Sequence, residues 1–131
     1  ITLCALIHKH ELSEQVLVAS FSQIALHQFR EVCPGVATSA SDEEVRVFFI
    51  LNLTFLGPIY SPGFHALQVP EQRDWIRVIT PGFVRTAHGR GLAVFVSTMD
   101  EQIDLQHMLE IGVDGVVSND PDQLLLALGR K

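Results

Sequence analysis

Short strings of β-branched and apolar residues alternate along this chain with stretches in which apolar residues return every third or fourth position. The first pattern is that of a strand covered on both faces, the second that of an amphipathic helix. Leu3, Leu6 and Ile7 fall at helical spacing, and Gln15 to Ala19 reads as a short buried strand. Ser20 to Glu31 is helical, with Ser22 as a candidate N-cap whose hydroxyl can accept from the free N–H groups of the first turn, and Pro34-Gly35 ends it. Gly35 to Thr38 is the next strand string. Ser41-Asp42-Glu43-Glu44 then has the polar signature of a helix start and leads into an apolar helix, Val45 to Leu56, that Gly57-Pro58 stops.

Phe64 to Val69 is again strand-like and is closed by Pro70, with Ile76 to Thr80 a further short extended string. Pro81 suits the first position of a helix running to about Gly91, and Leu92 to Thr98 is the clearest strand of all. Asp100 to Glu110 is helical with Gly112 as its stop, Val113 to Val117 is a brief strand, and Pro121 to Leu128 is a final helix capped by Asp120 or Asn119. Strands therefore begin near Val16, Val36, Phe64, Leu92 and Val113 with helices between them, the pattern of repeated βαβ units. The fold class is α/β with a parallel sheet, and residues 1–131 form one domain, since no linker, repeat or low-complexity stretch divides them. Pattern alone leaves two arrangements open: an open doubly wound sheet, or an arc of a barrel whose full ring takes about 250 residues.

Composition narrows the function classes. A hydrophobic fraction of 47% over 131 residues supports one core, and a net charge of −6 with nine scattered basic residues makes no patch for a polyanion, so nucleic acid is not an expected partner. The longest apolar run, Val47 to Gly57, is far shorter than the roughly 20 residues that cross a bilayer, and reads as a buried helix; no membrane span is expected. Cys4 and Cys33 could form at most one disulfide, far fewer than a small secreted scaffold uses, and neither belongs to a CxxC pair, which makes a reducing, cytoplasmic setting the default and Cys33 an ordinary packed side chain. The chain opens at Ile1 inside a helical pattern, so residue 1 is expected not to be the natural start.

In either arrangement chemistry belongs at the C-terminal ends of the strands, where Ser20, Phe21, Thr38, Ser39, Gln68, Ser97 to Asp100 and Ser118 to Asp120 fall. No GxGxxG follows a strand and no P-loop is present, which removes the usual phosphate cradles. The histidines most often sit in helices: His8 and His10 point to different faces, His27 and His107 stand among polar neighbours, and His65 reads as a hydrogen-bonded strand residue. His88-Gly89-Arg90-Gly91 lies at the end of a helix, on the side opposite the strand C-termini, so His88 reads as a helix-end residue. Ser20 and Ser97 lie in no G-x-S-x-G turn and line a pocket or cap a turn instead; Asp100, Asp120 and Asp122 suit helix N-termini.

Four strings together resemble one family. Val16 to Phe21, Val36 to Ser39, Ala66 to Pro70 and Ala87 to Asp122 are similar, in order and spacing, to the later strands of the glycerophosphodiester phosphodiesterases. The last is the most specific, joining Arg90-Gly91-Leu92, a strand and Ser97-Thr98-Met99-Asp100 to Leu109 through Val117 and a Pro-Asp. The resemblance implies a (β/α)₈ barrel, of which this chain supplies strands four to eight, and hydrolysis of glycerophosphodiesters to glycerol 3-phosphate and an alcohol with a divalent cation, Ca or Mg. The family's His-Arg-Gly, Glu-x-Asp, second His and metal-binding Glu fall in the first three strands, so this chain alone is expected to bind no metal, to carry no catalytic residue and to be inactive. Its partners are then the glycerophosphodiester of the parent protein and the missing N-terminal half, with self-association through unpaired strand edges. Ser20, Phe21, Gln68, Ser97 and Asp100 correspond to the pocket wall. Where the family has Trp-Thr-x-Asn this chain has Ser97-Thr98-Met99-Asp100, and Ser118-Asn119 replaces Thr-Asp. A non-catalytic α/β binding module derived from the same fold is the alternative.

Overall fold

The computed structural model describes residues 2–73, 76–98 and 102–130. Five short strands, β1 (Leu17–Val18), β2 (Ala37–Thr38), β3 (Ala66–Val69), β6 (Ala93–Ser97) and β7 (Gly115–Val117), are parallel to their neighbours; β4 (Gln72–Arg73) and β5 (Ile76–Arg77) form a small antiparallel pair between β3 and β6 in the chain. Leu17 pairs with Ala37, Leu67 with Val94 and Val96 with Val116. A bridge between Ser39 and Ala66, with Ala40 N donating to Ala66 O at 2.7 Å and His65 N to Thr38 O at 2.8 Å, joins β2 to β3. The five strands thus lie side by side in chain order. A flavodoxin-like sheet reverses its strand order at a switch point, whereas a barrel does not, so this order selects the barrel arc over the doubly wound sheet.

The helices start where their sequence permits. Ser22 caps α2 (Gln23–Val32), and Ser41 with Glu44 forms a complete capping box at α3 (Asp42–Leu53). Pro81 opens α4 (Pro81–Gly89) behind the Thr80 cap, and Asp120 caps α6 (Pro121–Ala127). Gly112, at φ +92°, ends α5 (Gln102–Ile111) in a conformation that an L side chain rarely adopts.

Alternation along the strands sorts two faces. Leu67, Val69, Val94 and Val96 are fully buried against α3, α4 and α5 through Phe48, Phe83, Val84, Ala87 and Met108. Gln68, Ala93, Phe95 and Ser97 alternate with them on the other face and are half-buried or exposed. In a closed barrel that inner face is filled by layers of side chains from every strand. Gly115 stands across from Phe95, and a Cβ there would come within 2.5 Å of the ring, so the ring occupies the space that glycine leaves.

Two sequence expectations are corrected. The stretch from Val47 to Gly57 is not a buried helix: Phe48 is buried, but Val47, Ile50 and Leu53 are 46%, 58% and 61% exposed, because α3 covers the strands with one face only. Cys33 is not simply packed. It is bonded to Cys4 across 29 residues, tying α1 (Leu3–Lys9) to the end of α2, with Ile7 and Val36 beside it in a small second core. This bond removes the ground for expecting a reducing compartment, since disulfides persist mainly in oxidising ones. The extended string from Ile76 pairs antiparallel with Gln72–Arg73.

Arg30 and Glu44 tie α2 to α3. The guanidinium donates to both Glu44 carboxylate oxygens at 2.7 and 3.0 Å, to Thr38 Oγ1 at 2.9 Å and to Ser39 O at 3.1 Å. Burial raises the Glu44 carboxyl's affinity for its proton, but the Arg30 fork, the Ser41 N–H and the charge of Arg30 outweigh it and hold its pKa below the ordinary value. A lowered folded-state pKa stabilises the fold at pH above the unfolded value, and the contribution is lost as pH falls through the folded one. Glu44→Gln is expected to cost about 1–2 kcal/mol at neutral pH and to flatten the acid limb of the stability profile. Urea melts of both forms from neutral to acid pH check this; parallel curves would remove Glu44 from the account.

Candidate functional site

The C-terminal ends of the strands converge on one cavity of about 880 Å³, a size usual for small-ligand sites. Ser20 and Phe21 reach it from the turn after β1, Ala40 from beyond β2, Gln68 and Pro70 from the end of β3, and Ser97 and Thr98 from the end of β6. The first turns of α3 add Asp42, Val45, Arg46 and Phe49, and Ile76 of β5 and Val78 complete the described lining. Four of the five residues singled out in the sequence therefore line a common space. Asp100 lies outside the described residues.

Each polar group has a definite role. Ser20 Oγ accepts from Ser22 N at 3.1 Å, fixing the turn that leads into α2 and leaving its own proton free to donate. Ser97 and Thr98 hydroxyls lie 3.3 Å apart. Arg46 donates to Asp42 Oδ2 at 2.7 Å, one turn back on the same helix face, and both side chains are partly exposed. Phe21 is 94% exposed and projects at the rim. The lining combines hydroxyls, one amide and one ion pair on an apolar floor, a surface able to hold a polar molecule by hydrogen bonds.

Among the described residues that line the cavity there is no histidine and one carboxylate, Asp42, which is engaged by Arg46. Calcium takes six to eight oxygen ligands and magnesium one or two carboxylates together with water and phosphate oxygens, so the single ion-paired carboxylate of the described lining does not fit a divalent cation. The one group of three metal-ligating side chains among the described residues, Cys4, His8 and Cys33, lies elsewhere.

The other residues marked in the sequence sit in structural roles. His65 Nδ1 accepts from Thr38 N at 3.2 Å. His88 Nε2 lies 2.8 Å from Asp114 Oδ2, which also accepts from Val94 N at 2.7 Å, so His88 binds the end of α4 to the start of β6 and β7, away from the cavity. Asp120 accepts from Gln123 N as a cap, and His27 faces Glu31 on an exposed helix side. Thr38 and Ser39 are buried and serve the Arg30 network and the β2–β3 junction. Arg46, Asp42 and Phe49 were not marked. Their signal was positional: the first two turns of a helix that follows a strand face the same mouth as the strand end.

A family model described as the glycerophosphoryl diester phosphodiesterase family matches residues 11–123. A glycerophosphodiester phosphodiesterase of Caldanaerobacter subterraneus subsp. tengcongensis is 22% identical over 121 residues, which cover 91% of this chain and 44% of that protein. Among solved structures, one described as a glycerophosphoryl diester phosphodiesterase from Silicibacter pomeroyi superposes with a TM-score of 0.65 at 20% identity, over 97% of this chain and 43% of that one. A glycerophosphodiester phosphodiesterase from Parabacteroides distasonis gives 0.66 at 21% identity, over 95% and 48%. The chain thus spans about half the length of the relatives it matches, and its fold is like theirs over 95–97% of its own length.

Proposed function

This chain belongs to the glycerophosphoryl diester phosphodiesterase family, and on that premise we propose that it is the C-terminal arc of a (β/α)₈ phosphodiesterase barrel, about strands four to eight, contributing the wall of a pocket for a glycerophosphodiester. The observation that carries this reading is the convergence of Ser20, Phe21, Gln68 and Ser97 on one cavity at the C-terminal strand ends. Strand order agrees with it, as does a half-open inner face that calls for further strands. The described lining, with no histidine and one ion-paired carboxylate, agrees with a division of labour in which the acid, the base and any divalent cation sit on the other half. The whole of residues 1–131 is then a piece of one domain. No described helix is long and apolar enough to cross a membrane.

Offsetting a phosphoryl charge and activating water need a cation or an acid–base pair positioned at the scissile bond. The purified chain from Ile1 to Lys131 is therefore expected to give no turnover of glycerophosphocholine above buffer, with Mg²⁺ or Ca²⁺. Cation-dependent release of glycerol 3-phosphate by this chain would overturn the reading. Coding sequence upstream of Ile1 separates the enzyme from a binding module: a His-Arg-Gly strand with a Glu-x-Asp identifies the former, a start codon at that point the latter.

Among the described residues β1 pairs with β2 and β7 with β6, which leaves the outer backbone groups of β1 and β7 as templates for another strand. Self-association of the chain follows, and its apparent mass in size-exclusion chromatography is expected to rise with concentration. A compact monomer at every loading would argue that the edges are covered.

A further inference from the structure

The small core at the N-terminal end holds a group that neither the cavity nor the family reading uses. Cys4 and His8 are one helical turn apart on one face of α1, and Cys33 meets them from the end of α2. Residues at i and i+4 point the same way, so the spacing places a sulfur and an imidazole nitrogen over one spot. Cys4 Sγ lies 3.9 Å from His8 Nδ1, and the three ligand atoms all fall within 4.8 Å of one another. Cys4 and Cys33 are 8% and 1% exposed, while His8 is on the surface, so the group is roofed by protein on the sulfur side and open to solvent on the imidazole side.

We infer that the Cys4–Cys33 disulfide and a Cys₂His site for a thiophilic divalent cation, zinc being the chemical type, are two states of one redox-controlled centre. Reduction by a dithiol breaks the S–S bond, passes two electrons and two protons to the sulfurs, and leaves the reductant as its own disulfide. The cation then displaces both thiol protons to solvent, and two thiolates with a neutral imidazole balance its charge, so the mostly buried site carries no net charge. Three protein ligands around zinc leave the fourth position to water, and His8 supplies the exposed side where that water enters. Oxidised and metal-bound states join the same two helices. The centre thus keeps α1 attached to α2 whichever compartment the chain meets, by a covalent bond in one and by coordination in the other.

Cobalt(II) titration tests this. The full chain from Ile1 to Lys131 is reduced with a phosphine, which takes its oxygen from water and competes little for metal, and is followed by absorption and by far-ultraviolet circular dichroism. One equivalent of cobalt is expected to raise a thiolate-to-metal charge-transfer band and strong visible absorption of a tetrahedral site, both removed by zinc. The oxidised chain should show neither. His8→Ala, at an exposed position, is expected to weaken zinc binding at least tenfold, a minimum set by what even outer-sphere partners contribute. If reduction alone loosens the fold, zinc should restore the helical signal in the wild-type chain and fail to do so in His8→Ala. Binding without a charge-transfer band, equal affinity in His8→Ala, or no effect of metal on either signal would each overturn the inference.

Discussion

Phe83→Ala is expected to remove about 3–5 kcal/mol of stability, the usual cost of truncating a buried aromatic side chain and leaving a cavity. Phe83 is 0% exposed and meets the ring of Phe48 edge-on, with centroids 5.3 Å apart and planes at 87°, while Phe49 lies at 6.4 Å. It is the contact at which α4 touches α3 over the buried face of β3 and β6. Domains of this size have total stabilities of about 5–15 kcal/mol, so the variant retains a small margin or none. Urea unfolding at fixed protein concentration measures it: the midpoint should fall sharply at unchanged slope. Phe55→Ala is the control, since Phe55 is 89% exposed and its loss should stay within about 0.5 kcal/mol. Similar midpoints for the two variants would mean that the layer between α3 and α4 does not carry the fold.

Replacing both cysteines by serine is expected to cost about 3–4 kcal/mol, because a bond closing a loop of 29 residues chiefly restricts the unfolded chain. The wild-type chain in metal-free buffer should lose the same amount when reduced, and the double-serine variant should be indifferent to reductant. Paired melts with and without reductant decide the matter. Equal stability of oxidised and reduced wild type would show that α1 docks onto α2 through Ile7 and Val36 unaided.

Much of the arc was legible in the sequence because its signals are local. Ser22, the Ser41–Glu44 box, Pro81, Gly112 and Asp120 all act within a turn of themselves, and each starts or stops a helix where its chemistry demands. Gln68 and Ser97 were recognisable as pocket residues because a strand's last side chains face the mouth of a parallel sheet, and the family resemblance pointed the same way. What escaped notice depends on contacts distant in sequence. The pairing of Cys4 with Cys33 needs two helices to meet, and no spacing rule over 29 residues announces it. The outer face of α3 misled for a different reason: Val47, Ile50 and Leu53 satisfy the composition of a buried helix, but burial is set by what lies opposite, and here only one face has a layer against it. Arg46 and Asp42 form an i,i+4 pair on α3, and their position over the cavity comes from the strand that precedes them.

The fork between Arg30 and Glu44 has a bearing on how such a pocket can change over generations. Asp42, Val45, Arg46 and Phe49 stand on α3, and that helix is tied down by a guanidinium anchored on α2 that is not among the residues lining the cavity. Drift at Arg30 would tilt four wall residues at once without altering any of them, so selectivity could be retuned from a position that never meets the ligand.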